Sequence, residues 1–314
     1  MPVSMPFSMH PLPNHTLCYR DKCLSLAKPQ IMGILNVTPD SFSDGGEHDS
    51  VALAVKHAKQ MMAQGASIID IGGESTRPNA DVVSTDQELE RVVPVVQAIR
   101  NQLGDDVWLS IDTSNPKVMM ASIEAGADII NDVRALKREG AVQVVADLAV
   151  PVVLMHMRGE PTTMNQLANY DDVLTDVLTE LSQRVDAVTA QGVNRHNIII
   201  DPGFGFAKHH QHHCQLLRQL QAFGCFDLPI LFGVSRKRFL GEVLDNSGTP
   251  AFIGHTVKDR DPVGVAAALL AVQQGASIIR THNVAMTCQA LAIYEQVFLQ
   301  QPPFNDGQQH DHTA

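Results

Sequence analysis

One short unit recurs along the chain, as "GASIIDIGG" at 65–73, "GADIINDVR" at 126–134 and "GASIIRTHN" at 275–283. The residues before each copy have apolar positions at helical spacing, and the glycine stands where a helix commonly ends. The isoleucine runs are short, β-branched and continuously apolar, which is typical of parallel strands buried on both faces. The unit is therefore a helix followed by a buried strand, and only its polar end changes between copies.

Following this unit along the chain predicts eight strands. They cover 31–37, 67–73, 107–113, 128–133, 151–157, 197–203, 229–235 and 277–283. Helical patterns separate them, which favours an α/β fold with a single (β/α)8 TIM barrel. The alternative, an open doubly wound sheet, usually has fewer strands and a Gly-rich dinucleotide turn that we do not find.

Three segments are predicted around this barrel. Residues 1–27 are expected to form an N-terminal extension with a capping hairpin, 28–300 the catalytic barrel, and 301–314 a disordered tail. The formal net charge of −11 argues against nucleic acid as a partner. The start of the chain has no secretory pattern, and no apolar run of about 18 residues could span a membrane. We expect a cytoplasmic protein acting on small molecules.

The cysteines are expected to be reduced thiols, because an odd and scattered set in a chain of this length is typical of the cytosol. There are five: Cys18, Cys23, Cys214, Cys225 and Cys288. The run "AKHHQHHC" at 207–214 holds four histidines, and we interpret it as an exposed helix start rather than a metal site.

Active sites of (β/α)8 barrels lie at the carboxyl ends of the strands, and every predicted strand ends in a polar group. These groups are Asn36, Glu74, Asp112, Asn131, His156, Asp201, Ser235 with Lys237, and Arg280 with His282. Strand ends are commonly exposed and polar, and this alone explains one or two of these residues. It explains poorly Asp112, Asn131 and Asp201, each of which directly follows residues that must be buried.

Converging carboxylates and amides could bind a divalent metal, or they could recognise the donor and acceptor edge of a planar heterocycle. The second interpretation is favoured by Lys237, Arg280 and His282 beside Arg77, because these groups would repel a metal held by carboxylates alone. They suit an anionic substrate such as a phosphate ester or pyrophosphate. Two loops, 36–46 and 72–80, are rich in Pro, Gly, Ser and Asp, and such loops over a barrel mouth commonly close on substrate. Plain connecting loops are the alternative.

An ordered set of motifs resembles the dihydropteroate synthases, a pterin-binding family of folate biosynthesis, from about residue 30 to 297. The motifs are "ILNVTPDSFSDGG", "DIGGESTRP", "SIDT", "IINDV", "HMRG", "DPGFGFAK", "GVSRKRF" and "RTH". The resemblance implies an alkyl transferase that joins a dihydropterin methyl pyrophosphate to 4-aminobenzoate by an S_N1-like step. It also implies Mg²⁺, a homodimer and competition by sulfonamides.

The resemblance assigns roles residue by residue. Pterin contacts would come from Asp112, Asn131, Asp201, Lys237, Met155 and Phe206. Pyrophosphate contacts would come from Asn36, Thr76, Arg77, Arg280 and His282, with Mg²⁺ bridging Asn36 to the pyrophosphate. Contacts to 4-aminobenzoate would come from Ser235, Phe42, Pro78 and Phe206. The residues implied to be catalytic are Asp112, Lys237, Arg77 and Asn36.

Two other functions fit the same barrel. A pterin-dependent methyltransferase domain would share the pterin carboxylates but would lack the Arg77 loop and the "SRK" motif. A non-catalytic pterin-binding paralogue would have lost one of Asn36, Arg77, Lys237 or Arg280, and this chain has all four. The transferase remains the favoured function.

Overall fold

The computed structural model describes residues 15–38, 47–74 and 83–299 of the chain. Four residues with predicted roles lie outside the described residues: Phe42, Thr76, Arg77 and Pro78. The predicted tail at 301–314 and most of both predicted closing loops also lie outside them. Among the described residues, no helix is long and apolar enough to cross a membrane.

A short antiparallel hairpin precedes the barrel, with strands β1 (Thr16–Tyr19) and β2 (Lys22–Ser25). Lys22 Nζ donates to the Asp128 carboxylate at 2.9 Å and to the Val107 carbonyl oxygen at 3.0 Å. Asp128 and Val107 each lie directly before a barrel strand, so the hairpin covers the amino-terminal face of the barrel. The predicted capping hairpin is present.

The hairpin corrects the expectation that all five cysteines are reduced. Cys18 and Cys23 are direct partners across the two strands, and they form a disulfide. The number and spacing of the cysteines did not predict this disulfide, because a tight turn between the two strands brings Cys18 and Cys23 face to face. Cys214, Cys225 and Cys288 are free thiols.

Eight parallel strands form the main sheet and confirm the predicted TIM barrel. They are β3 (Gln30–Asn36), β4 (Ile68–Gly72), β5 (Trp108–Asp112), β6 (Ile129–Asp132), β7 (Val152–Met155), β8 (Ile198–Asp201), β9 (Leu231–Phe232) and β10 (Ile278–Thr281). Their order is β8-β7-β6-β5-β4-β3-β10-β9, and a parallel bridge between Ile200 and Ile230 joins the two edges. Most strands are shorter than predicted and lose residues at both ends, while Asn36, Asp112, Asn131 and Asp201 remain paired within them.

Helices surround the strands, as the repeated unit predicts. Those in the described part of the chain are α1 (Glu47–Ala63), α2 (Thr85–Leu103), α3 (Pro116–Glu124), α4 (Ala141–Leu148), α5 (Val173–Thr189), α6 (His210–Arg218), α7 (Arg238–Asn246), α8 (Asp261–Gln273) and α9 (Val284–Tyr294). The glycines of the three repeats, Gly65, Gly126 and Gly275, follow α1, α3 and α8 with φ of 106°, 115° and 100°. This left-handed backbone favours glycine and turns the chain from helix to strand.

The isoleucine pairs of the repeats are almost fully buried in the barrel core. Along β4 and β5, by contrast, the inner positions are polar near the carboxyl end, where Asp70, Ser110 and Asp112 occur. The repeated part of the unit therefore builds the core, and the part that changes faces the barrel mouth.

Candidate active site

Four polar or small residues lie side by side at the carboxyl ends of neighbouring strands. The strand register pairs Asn36 with Gly72, Gly72 with Asp112, and Asp112 with Asn131. Gly72 has no side chain, so the Asn36 amide and the Asp112 carboxylate face the space beside it. Parallel strands in register thus bring together groups that are far apart in sequence.

A buried carboxylate, Asp70, organises this side of the mouth. Its Oδ1 accepts a hydrogen bond from Ser110 Oγ at 2.6 Å, and its Oδ2 accepts from Asn131 Nδ2 at 3.1 Å. Arg280 Nε donates to Asp70 Oδ2 at 2.6 Å, while Arg280 Nη2 donates to Asp112 Oδ2 at 2.8 Å. One guanidinium therefore bridges two carboxylates and fixes both.

The electrostatics of this group follow from its burial. Burial raises the pKa of the Asp112 carboxyl to about 7, while Arg280 acts in the opposite direction and Asp70 adds to the rise. Two carboxylates share one guanidinium here, so the charge on this wall is not fully compensated. Such a wall suits a ligand that presents N–H donors or develops positive charge.

The opposite side of the mouth is formed by Asp201, Lys237 and the β8–α6 loop (residues 202–209). Asp201 Oδ1 accepts from the backbone N–H of Gly203 at 2.7 Å. Lys237 Nζ donates to the Phe204 carbonyl oxygen and lies 4.5 Å from the centroid of the Phe206 ring. Burial lowers the pKa of Lys237 to about 8 against the opposing effect of Asp201, and burial raises the pKa of Asp201.

A small apolar cluster, separate from the barrel core, lies over the ends of β6, β7 and β8. Its buried members are Val133, Met155, Met157, Met164, Phe206 and Ala207. Flexible methionine side chains and an aromatic ring can cover the face of a flat heterocycle. The apolar cluster and the polar walls lie at the same end of the barrel, and we call the region between them the slot. Its lining suits a planar, polar-edged ligand.

A third group lies between β9 and β10. Ser235 Oγ accepts from the backbone N–H of His282 at 3.1 Å, and it is 3.0 Å from His282 Nδ1. This contact joins the residues that follow two adjacent strands, and it places an imidazole beside the Arg280 strand.

Comparison with known proteins identifies the family of this site. A sequence model described as "Pterin binding enzyme" matches residues 32–282. The dihydropteroate synthase of Haemophilus influenzae is 47% identical over 275 residues, which cover 88% of this chain and 96% of that protein. The chain belongs to the dihydropteroate synthase family.

Solved structures of the family have the same fold. The Yersinia pestis dihydropteroate synthase, in a sulfonamide drug complex, superposes with a TM-score of 0.83 at 44% identity and covers 91% of this chain and 100% of that one. The Xanthomonas albilineans enzyme with 4-aminobenzoic acid superposes with a TM-score of 0.81 at 43% identity, over 90% and 98% of the two chains.

The residues that the sequence assigned to ligands separate into three groups in the structure. Asn36, Asp112, Asn131 and Arg280 occupy the first wall; Asp201, Lys237 and Phe206 occupy the second; and Ser235 and His282 form the third group. Met155 is part of the apolar cluster. The strand-end pattern therefore located residues that do meet at one end of the barrel.

Sequence reasoning missed Asp70 and Lys208. Asp70 lies in the middle of β4 between buried isoleucines, and its side chain is fully buried. A carboxylate inside a run of this kind must find a partner within the barrel, and that signal was available in "SIIDIGG". Lys208 belongs to the "DPGFGFAK" motif, but its role depends on His156, which is distant in sequence and is brought close only by the fold.

The structure also corrects the interpretation of the histidine run at 207–214 as an exposed helix start. His213 is buried rather than exposed, and its Nε2 accepts from the backbone N–H of Gly205 at 2.8 Å. Its ring packs against Phe204 and Phe239. A helix start that touches a loop on one face can be buried on that face, and the spacing of four histidines does not show which one faces inward.

Proposed function

We propose that the protein condenses 6-hydroxymethyl-7,8-dihydropterin pyrophosphate with 4-aminobenzoate to give 7,8-dihydropteroate and pyrophosphate. The observation that carries this proposal is the slot in which Arg280 bridges Asp70 and Asp112 opposite the Lys237 and Asp201 wall. A slot with carboxylates on its polar edges and an apolar face suits a pterin. Family membership over most of the chain gives independent support.

The pterin ring would lie between the two walls. Its amino group and ring N–H are paired donors, and a buried carboxylate such as Asp201 can accept both. Asn131 offers one donor and one acceptor to the remaining edge, and Lys237 donates to a ring nitrogen or oxygen. Each such charged hydrogen bond contributes about 1.5–3 kcal/mol. Met155 and Phe206 would cover the faces of the ring.

The pyrophosphate would lie near Arg280, His282 and Asn36, with Thr76 and Arg77 from the second loop. Arg280 has N–H donors beyond the two used by Asp70 and Asp112, since a guanidinium carries five. A phosphate near this side chain would have to lie on the solvent side of the ion pairs. Positive groups there stabilise the charge that develops on a departing pyrophosphate.

Magnesium fits the residues present on this wall. Asn36 supplies a neutral amide oxygen beside the open space at Gly72, and Mg²⁺ prefers oxygen ligands while keeping several waters or substrate phosphates. Asn36 would hold the ion through that oxygen. When bound, the ion would neutralise charge on the pyrophosphate oxygens.

In the transfer itself, the bond between the pterin methylene carbon and the pyrophosphate oxygen breaks, and its electron pair leaves with the pyrophosphate. The electron-rich dihydropterin stabilises the resulting cation, and Asp112 and Asp201 lie on the two walls that face it. The arylamine nitrogen then bonds to the methylene carbon and loses one proton to solvent. An arylamine is already nucleophilic, so the residues mainly position groups and stabilise charge.

The second substrate would enter beside the pterin. Ser235, held by His282, would meet the benzoate carboxylate, and Phe206, with Phe42 and Pro78, would contact its ring. The solved relative that contains 4-aminobenzoic acid supports a benzoate site in this family.

We also propose a homodimer formed through the last helices. Leu270 of α8, Ile293 of α9 and Val297 in the short π-helix that follows are 50%, 60% and 62% exposed. Exposed apolar side chains on adjacent elements are typical of a surface buried by a partner. Sedimentation equilibrium tests this, and a species of monomer mass at micromolar concentration would contradict it.

The proposed location is the cytoplasm, as the sequence predicts. The Cys18–Cys23 disulfide makes this testable, since a reducing cytosol disfavours such a bond. Cell fractionation would find the native protein in the cytoplasmic fraction, and thiol labelling there would report whether Cys18 and Cys23 are bonded. Recovery from an extracytoplasmic fraction would contradict the proposal.

The first experiment is to measure pyrophosphate release by the purified protein with dihydropterin pyrophosphate and Mg²⁺, with and without 4-aminobenzoate. We expect sustained release that depends on the arylamine and yields dihydropteroate. Lys237→Ala should lower both turnover and pterin affinity at least tenfold, whereas Lys117→Ala on the exposed face of α3 should change neither. Pterin binding without release would point to the non-catalytic or methyltransferase alternatives.

A further inference from the structure

The β8–α6 loop has an unusual backbone for a segment next to a binding slot. Gly203, Gly205 and Ala207 have left-handed φ of 76°, 85° and 48°. The carbonyl groups of this loop lie outside helices and ladders, and their hydrogen-bond donors come from turns and side chains. The Gly203 carbonyl oxygen accepts a turn hydrogen bond from the Phe206 N–H at 3.1 Å. Lys208 Nζ is a side-chain donor to this loop and donates to the carbonyl oxygens of Gly203 and Phe206, each at 3.1 Å.

Lys208 also begins a buried polar chain that leads away from the slot. Its Nζ is 3.0 Å from His156 Nδ1, and His156 Nε2 is 3.0 Å from Glu180 Oε2. The ammonium group can only donate, so His156 Nδ1 accepts and Nε2 carries the proton given to Glu180. Arg158 Nε donates in turn to Glu180 Oε1 at 2.8 Å. Arg158 thus orients Glu180, Glu180 orients His156, and His156 orients Lys208.

A buried ammonium group is costly unless it is well paired, so its position requires a reason. Burial lowers the pKa of Lys208 to about 7, with Asp201 opposing, and burial lowers the pKa of His156 to about 4. The proton of the pair therefore resides on the lysine. Lys208 is buried, and its ammonium group donates to carbonyl oxygens of the loop.

The loop held by Lys208 in turn holds both residues of the second wall. The Gly203 N–H donates to Asp201, and the Phe204 carbonyl accepts from Lys237. The Phe206 ring lies beside the Lys237 ammonium group. A shift of the loop would therefore move the Lys237 ammonium group and the Asp201 carboxylate relative to each other.

The geometry points to Lys208 as a positioning residue for pterin binding, which acts through the β8–α6 loop on Asp201 and Lys237. The Glu180–His156 pair keeps the lysine oriented for this task. The inference rests on the proposed function, since it names how that function's pterin wall is held in place.

The test compares Lys208→Met with Lys22→Met. Lys22 is the control because it is a partly buried lysine that, like Lys208, donates to a backbone carbonyl, but at the opposite face of the barrel. Affinity for dihydropterin pyrophosphate is measured by calorimetry without 4-aminobenzoate. We expect Lys208→Met to weaken it at least tenfold and Lys22→Met to change it less than twofold, even if both lower the melting temperature.

A double-mutant cycle distinguishes positioning from general damage. If Lys208 acts through Lys237, the loss of pterin affinity in Lys208→Met with Lys237→Ala is much smaller than the product of the single losses. In the cycle of Lys22→Met with Lys237→Ala, the loss of pterin affinity in the double variant should equal the product of the two single losses. Folded Lys208→Met protein with pterin affinity within twofold of wild type, or multiplicative losses in both cycles, would overturn the inference.

A variant with a milder change covers the case in which Lys208→Met does not fold. Glu180 is partly exposed, so Glu180→Gln should fold, and we expect it to weaken pterin binding about threefold; unchanged affinity would overturn the inference. Wild-type protein that does not bind dihydropterin pyrophosphate would instead contradict the proposed function. The two failures are therefore distinct.

Discussion

At the scale of single residues, Asp70 shows how one buried carboxylate can organise a site without facing the ligand. It accepts hydrogen bonds from Ser110, Asn131 and Arg280, which come from three different strands. The contact with Arg280 joins residues 210 positions apart in sequence. Removing its charge would leave the guanidinium with one carboxylate partner instead of two.

We expect Asp70→Asn to lower kcat/KM for the pterin substrate about ten- to hundredfold, because a charged hydrogen bond of about 1.5–3 kcal/mol is lost. Asp128→Asn is the control, since Asp128 is an equally buried carboxylate that pairs with Lys22 and Arg100 at the other end of the barrel. Steady-state kinetics and melting curves of both variants check this. Equal losses of kcat/KM in both would show that Asp70 matters only for folding.

At the scale of elements, the β8–α6 loop depends on glycine where the backbone approaches β7. A Cβ on Gly203 would lie 1.9 Å from the carbonyl oxygen of His156, and φ there is 76°. Gly248 also has a positive φ, of 67°, but a Cβ there would meet nothing within 4 Å. Substitution of Gly203 would therefore cost both close packing and backbone conformation, whereas substitution of Gly248 would cost only backbone conformation.

Gly203→Ala should weaken pterin binding at least tenfold and lower the melting temperature by several degrees, because the loop must move away from β7. Gly248→Ala has only the conformational cost of about 1–2 kcal/mol and should bind pterin normally. Calorimetry and thermal unfolding check both variants. Normal pterin affinity in folded Gly203→Ala protein would contradict the role given to the loop.

At the scale of the whole molecule, buried histidines link stability to pH. Burial lowers the pKa of His156 to about 4 and that of His213 to about 3, both from an ordinary value of 6.5. Each ring is therefore neutral in the folded protein, while the unfolded chain takes up a proton below about pH 6.5. Their contribution to stability is complete above pH 6.5 and is lost as pH falls towards the folded pKa values.

For His213, linkage gives a loss of about 2 kcal/mol between pH 7.5 and pH 5. We expect His213→Gln to be less stable at pH 7.5 but to lose about 2 kcal/mol less than wild type over this range. Replacing the exposed His196 by Gln should leave the slope unchanged. Urea unfolding at several pH values measures the difference, and parallel curves for His213→Gln and wild type would contradict it.

The sequence by itself determined the barrel, because helical and strand periodicity and the glycines between them are local signals that recur with each unit. It also located Asp112, Asn131, Asp201, Lys237 and Arg280, since a polar residue at the carboxyl end of a buried apolar run marks the mouth. Phe42, Thr76, Arg77 and Pro78 remain predictions.

Only the tertiary structure decided how these groups are paired. Barrel closure and strand register brought Arg280 to Asp70, and the packing of α5 and the β8–α6 loop against the end of β7 brought Glu180 and Lys208 to His156. The same is true of the Cys18–Cys23 bond and the burial of His213. Local patterns encode which residues leave a strand or helix, whereas a hydrogen bond across the molecule depends on distances that only the closed fold sets.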